Sequence, residues 1–246
     1  MATHGRGGEE DWGKSKKKKK SGKEATKTDG GWPLIKPKKN LQINRLRGTH
    51  LFTIPYFLTS TEARAFIEVA ESHGFTHQGS LGPAYGEAYR DNDRISVTDP
   101  ALAESMWEAG LKKIFDDIKL PGKVPVGLNP NIRFYRYKTG QRFGRHIDES
   151  VDLGEGRRTQ YTLLVYLSGN SSSKVKDSSS NQDSSVQSLI GGETVFYDHR
   201  QGVVAEVAPV EGMALLHIHG AKCMLHEACA VTKNIKYVLR SDVAFA

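Results

Sequence analysis

The chain has 246 residues and 27.2 kDa, with 37% hydrophobic and 26% charged residues and a formal charge of +7, which suits one globular domain with polar appendages and argues against a multidomain assembly. The basic surplus is local: residues 1–45 hold 13 Lys and Arg against 5 Asp and Glu, while residues 46–246 hold 22 against 23, so total charge offers no argument for a nucleic-acid face on the folded part. No run approaches the ~18 apolar residues of a membrane span and no apolar signal core follows Met1, so a nuclear or cytoplasmic, non-secretory protein is expected.

Residues 1–45 read as a disordered lysine-rich tail ahead of a folded domain over 46–246. Lys14 and the lysines 16–20 lie among Gly, Ser, Thr and Asp with little apolar to bury, so nothing offsets the entropy of ordering them. Such a run serves a nuclear-localisation or polyanion-binding patch and a plain solvated tail equally well. Thr59-Ser60-Thr61-Glu62 has capping-box spacing, and Ala63, Phe66, Ile67 and Ala70 follow at helical steps until Gly74, which predicts an amphipathic helix. Residues 79–86, with three glycines, suggest the base of a lid, and the polar run Arg90-Asp91-Asn92-Asp93-Arg94 reads as a solvated turn or as a substrate loop using Arg90, Asn92 and Arg94. Leu102, Met106, Trp107, Leu111, Ile114 and Phe115 predict a second helix over 101–118.

From Asn131 onward short Val, Ile, Tyr and Phe-rich segments alternate with turn residues, predicting strands near 131–138, 144–148, 159–167, 193–198, 203–208, 213–219 and 235–245. Strands after helices indicate an α+β domain with a barrel-like sandwich and the helices packed outside one sheet. Between two of these strands, residues 168–188 contain 10 serines and read as a disordered loop. Cys223 and Cys229 are too few for an all-thiolate zinc site or a disulfide framework and read as reduced thiols.

His146-Ile147-Asp148 lies in strand-like sequence, where side chains two apart share a face and converge on one ion. Alone the triplet decides little, since roughly 0.5 is expected by chance in such a composition. Its context is more specific: Tyr137 upstream, Tyr166 ending Leu163-Leu164-Val165-Tyr166, the step Gly191-Gly192-Glu193-Thr194, and His226 followed ten residues on by Lys236. Over about residues 50–246 the sequence resembles the iron(II)- and 2-oxoglutarate-dependent dioxygenases, and within them the prolyl 4-hydroxylase type.

The resemblance implies a double-stranded β-helix, or jelly-roll, in agreement with the strand count. It implies His146, Asp148 and His226 as iron ligands, the two-imidazole, one-carboxylate set suited to non-haem iron oxygenases. Lys236 and Tyr166 match the positions that bind the far carboxylate of 2-oxoglutarate, with Arg240 as the fallback cation, since a step of four along a strand keeps the same face. Tyr137 and Thr194 match pocket-lining positions. The implied reaction is hydroxylation of a protein or peptide side chain, using dioxygen, with succinate and CO2 as co-products and ascorbate as the supporting reductant. The alternatives are a nucleic-acid oxidative demethylase recruited through the lysine tail, a catalytically idle jelly-roll binding module, and a three-histidine zinc site from His217, His219 and His226.

Overall fold

The first helix forms where the capping signal places it. Over α1 (Ser60–His73) the backbone N–H of Glu62 donates to Thr59 Oγ1, and Glu62 Oε2 accepts from the backbone N–H of Thr59, closing the capping box. The structure is a computed structural model and describes residues 1–2, 26–80, 82, 84, 86–170 and 188–246; the lysine run, the centre of the serine-rich stretch and part of the glycine-rich 79–86 segment lie outside these. Among the described residues no helix is long and apolar enough to cross a membrane.

The second helix departs from expectation. It is broken into α2 (Pro100–Met106), a π-helical turn (Trp107–Leu111) and α3 (Lys112–Asp116). Gly110 sits in the turn at φ 141°, and a Cβ there would come within 2.6 Å of Leu41 Cδ1. The helix gives way so that the segment carrying Leu41 can pass close to its backbone.

That passing segment also moves the start of the folded domain well ahead of residue 46. Trp32 is 1% exposed, stacked between Phe134 (ring centroids 4.2 Å apart) and His73 (4.8 Å), and Ile35 is buried beside it. The Lys38 backbone N–H donates to Ala109 O at 2.9 Å, and its ammonium pairs with Glu62 at 2.6 Å. One aromatic and one aliphatic side chain suffice to anchor what composition alone reads as tail. Trp32→Ala is expected to cost about 3–5 kcal/mol of stability, seen as a lower urea midpoint at unchanged slope.

Sixteen strands follow in the described residues: β1 (Asn44–Arg47), β2 (Leu51–Ile54), β3 (Thr76–Gly79), β4 (Arg90–Thr98), β5 (Pro125–Leu128), β6 (Asn131–Tyr137), β7 (Arg142–His146), β8 (Asp152–Gly154), β9 (Arg157–Tyr166), β10 (Ile190–Gly191), β11 (Thr194–Tyr197), β12 (Val203–Val207), β13 (Ala214–Ile218), β14 (Leu225–Ala228), β15 (Val231–Lys233) and β16 (Lys236–Phe245). Fourteen form one hydrogen-bonded array in the order β1, β2, β13, β9, β16, β6, β4, β7, β14, β11, β12, with β3, β5 and β8 pairing at its sides. The array curls into a nearly closed antiparallel jelly-roll, the fold expected, and contacts such as Phe196 with His217 and Tyr166 with Thr194 join its two halves across the interior.

Side-chain alternation divides that array into two cores. Tyr161, Leu163 and Val165 of β9, and Leu239, Val243 and Phe245 of β16, face the helices together with Phe66, Trp107 and Phe115. Tyr166 and Val238, on the opposite faces, join Tyr135, Tyr137, Phe143 and Phe196 inside the barrel. The helices therefore cover one sheet from outside, as expected.

The polar run at 90–94 is not a loop but the start of β4, which bridges β6 and β7. Its charges are satisfied across the sheet: Asp93 accepts from Arg136 Nη2 at 2.8 Å and pairs with Lys138 at 3.2 Å, and Asp91 accepts from Gln141 Nε2 at 2.9 Å. Strand pairing overrides the turn-like composition because every buried carboxylate here has a cationic or amide partner.

Candidate metal centre and its cavity

β7 and β14 pair so that His146 and His226 stand directly opposite each other, their ring centroids 4.2 Å apart, and Asp148 lies two residues past the end of β7. His146 Nδ1–H donates to Gly144 O at 2.8 Å and His226 Nδ1–H to Met224 O at 2.9 Å. Each backbone carbonyl fixes the tautomer and leaves Nε2 turned inward. His146 Nε2 lies 3.8 Å from Asp148 Oδ1, and His226 Nε2 lies 3.6 Å from Asp148 Oδ2. One ligand atom from each of the three residues falls within 4.8 Å of the others. Two imidazoles and one carboxylate so placed fit a six-coordinate ferrous ion with positions to spare.

Buried charges set the electrostatics. Arg240 Nη1 lies 3.0 Å from Asp148 Oδ1, and Thr162 Oγ1 donates to Asp148 Oδ2 at 2.8 Å. Burial works against the Asp148 carboxylate, but Arg240 and the neighbouring imidazoles hold its pKa well below the usual range. Burial pushes His146 down to about 3, helped by the proximity of His226. For His226 burial is outweighed by hydrogen bonding to Asp148 and Cys223, which pushes it up to about 9. An incoming metal ion must displace that proton.

At the deep end stands Lys236. Its ammonium is buried and donates to Gly192 O at 2.5 Å, and it lies 5.3 and 5.5 Å from the ring centroids of Tyr137 and Tyr166. Among the described residues no carboxylate comes within ion-pairing distance of it, and burial lowers its pKa to about 8. The glycine step explains this seat: Gly192 is at φ 75°, and a Cβ there would meet Lys236 Cδ at 2.9 Å. The Tyr166 hydroxyl and Thr194 Oγ1 are 2.8 Å apart in the same place, and burial raises the Tyr166 pKa far above its ordinary value.

One narrow cavity is lined by all eight residues singled out from sequence: Tyr137, His146, Asp148, Tyr166, Thr194, His226, Lys236 and Arg240. The Arg240 guanidinium lies against Asp148 and Asp242, whereas among the described residues the Lys236 ammonium has the Gly192 carbonyl as its hydrogen-bond partner. A cleft of about 450 Å³ opens beside His146 and Asp148 between the β3–β4 hairpin and β7. Arg90 lines it, its guanidinium 4.1 Å from the Phe143 ring centroid, but Asn92 is fully buried in the sheet, which removes it as a substrate contact. A wider cleft of about 750 Å³ lies against Asp148 and His219.

Sequence reasoning names His217 only within the three-histidine set and reads Cys223 as a plain reduced thiol, so it misses their place beside Asp148. His217 shares the inward face of β13 with Leu215 and is fully buried, with Nε2 3.5 Å from Asp148 Oδ2. The alternation of 213–219 carries its facing, but only the fold supplies its neighbour. The three-histidine set does not assemble: both ring nitrogens of His219 are engaged at 3.0 Å, by the hydroxyls of Thr162 and Thr159.

Residues 132–241 match the family model described as the 2OG-Fe(II) oxygenase superfamily. A comparison with curated protein sequences finds no match. Among solved structures the chain is similar to the viral collagen prolyl hydroxylase of Paramecium Bursaria Chlorella virus-1, in its 2OG complex, with 17% identity, 81% of this chain and 97% of that one covered, and a TM-score of 0.54. It is similar as well to a prolyl hydroxylase of Trichoplax adhaerens in complex with a hypoxia inducible factor oxygen degradation domain peptide fragment, with 17% identity, 80% and 84% covered, and a TM-score of 0.56. At these identities the likeness is one of fold.

Proposed function

We propose that this chain hydroxylates a side chain of a protein or peptide, with 2-oxoglutarate and dioxygen as co-substrates and succinate and CO2 as co-products; the match of residues 132–241 to the 2OG-Fe(II) oxygenase family model and the likeness of the fold to two prolyl hydroxylases support the reading. One observation carries the reading: a three-donor cluster and a buried ammonium that has no carboxylate partner among the described residues line the same cavity. His146, Asp148 and His226 would hold iron(II), which would supply the oxidising chemistry needed at an unactivated C–H bond.

The chain's own part is positioning and exclusion of water. Lys236 and the Tyr166 hydroxyl bind the far carboxylate of the dicarboxylate in a dry pocket, where a charge-assisted hydrogen bond is strongest. Arg240 keeps Asp148 ionised and, with Thr162, holds its orientation. The cleft beside His146, rimmed by Gln78, Ser80, Glu87 and Arg90, receives the substrate segment. Its polar rim suits the backbone of an extended peptide, and prolyl hydroxylation is the first chemistry to test.

Purified full-length chain given iron(II), ascorbate, 2-oxoglutarate and a panel of proline-containing peptides is expected to release succinate in proportion to peptides that gain one oxygen atom in mass. Failure to bind or consume 2-oxoglutarate with any substrate would favour the idle binding module. Succinate release driven by methylated nucleic acid instead of peptide would favour the demethylase.

A further inference from the structure

His217 has no evident use in that scheme. Its Nδ1 faces Ile218 O at 3.3 Å, while its Nε2 is buried without a hydrogen-bond partner. An unpaired buried polar atom costs about 1–3 kcal/mol, so its place in the barrel calls for a partner. Beside it, the Cys223 sulfur accepts the Asp148 backbone N–H at 3.2 Å. His217, Cys223 and His226 each offer a ligand atom within 4.8 Å of the other two. Asp148 Oδ2 completes the group, 3.5 Å from His217 Nε2 and 3.6 Å from His226 Nε2. Tetrahedral zinc, with arms of about 2.1 Å to nitrogen and oxygen, has edges of roughly 3.4 Å, close to these separations.

We propose that His217, Cys223 and His226, with Asp148 as fourth donor, form a second, thiolate-containing metal site that takes zinc or another thiophilic divalent ion and overlaps the His146, Asp148, His226 set. Binding breaks the Cys223 S–H bond and the His226 Nε2–H bond, sends both protons to solvent and forms sulfur–metal and nitrogen–metal bonds, with no change of oxidation state. Because His226 Nδ1 is committed to Met224 O, the ring has only Nε2 to give, and the two sets cannot both be filled. Softness sorts the ions: the thiolate favours zinc, while the His146 set, lacking sulfur, is the place for iron(II). Zinc thus withdraws two ligands from the ferrous site. That last consequence rests on the reading given under Proposed function; the thiolate site itself does not.

The test uses the full chain stripped of metal by chelation and titrated with cobalt(II) alone, then with zinc(II) as competitor. Wild type and His146→Ala are expected to develop a near-ultraviolet thiolate-to-cobalt absorption with intense tetrahedral visible bands. Cys223→Ser and Cys223→Ala are expected to lose these features and to bind zinc more weakly by at least roughly 10- to 100-fold, with circular dichroism confirming that they fold. Absence of the thiolate band in wild type, its survival in Cys223→Ser, which would assign it to Cys229, or its loss in His146→Ala would each overturn the proposal. A chain that shows the band but turns over no 2-oxoglutarate keeps this site and loses the enzyme reading; turnover without the band does the reverse.

Discussion

His146→Ala and Asp148→Ala are each expected to reduce succinate release by at least about a thousandfold, equivalent to about 4 kcal/mol of lost transition-state stabilisation. The two variants should nevertheless differ in stability. His146 is kept neutral by burial and its ring stacks on Phe143, with centroids 3.7 Å apart, so its truncation removes a ligand without stranding a charge. Asp148 is the counter-ion of the buried Arg240 and the acceptor of Thr162. Removing it leaves a buried guanidinium with Asp242 as its remaining carboxylate neighbour, and breaking such a pair costs about 3–5 kcal/mol. Iron binding measured anaerobically, succinate release and urea unfolding together check the prediction. Turnover within tenfold of wild type in either variant would remove the three-donor set from the mechanism.

Lys236→Ala is expected to raise the 2-oxoglutarate KM by about 100-fold, the loss of one buried charge-assisted contact of roughly 2–3 kcal/mol, with a smaller change in kcat. Arg240→Ala should act instead on metal retention, because its partner is Asp148. A pH signature separates a true anchor from a packing residue. Burial sets the Lys236 pKa at about 8, so the cationic form that attracts a dicarboxylate is fully present below that value and lost above it. The wild-type KM should therefore be flat below about pH 8 and rise beyond it, whereas Lys236→Arg, cationic throughout, should show no such rise. A KM unaffected by Lys236→Ala would reassign the anchor.

The parts of this molecule legible in its sequence are those governed by local periodicity. The capping box at Thr59 and the alternating stretches that become β6, β9, β13 and β16 declare themselves within a dozen residues. The cluster of His146, Asp148 and His226 was readable only as a set of spacings, and its closure depends on a β7–β14 pairing between residues 80 apart. What stayed hidden depends on distant partners. Asp93 reads as a surface charge until Arg136 is laid beside it, Trp32 reads as a tail residue until Phe134 stacks on it, and Gly110 reads as a helix interior until Leu41 crosses it. Cys223 reads as a plain thiol and His217 as a partner of His219 for the same reason, since their shared neighbour Asp148 comes from another strand's end.

Lys236 and Arg240 belong to one strand, β16, whose other face is packed against the helices. Four residues of extended backbone span about 13 Å, a length set by covalent geometry that barrel breathing scarcely alters. The points where these two side chains leave the backbone are therefore fixed: opening and closing of the mouth changes what enters, while the spacing between the roots of Arg240 and Lys236 stays constant. In the reading proposed above, a dicarboxylate one carbon shorter or longer than 2-oxoglutarate would meet that fixed spacing at the wrong depth, whatever the barrel's momentary aperture.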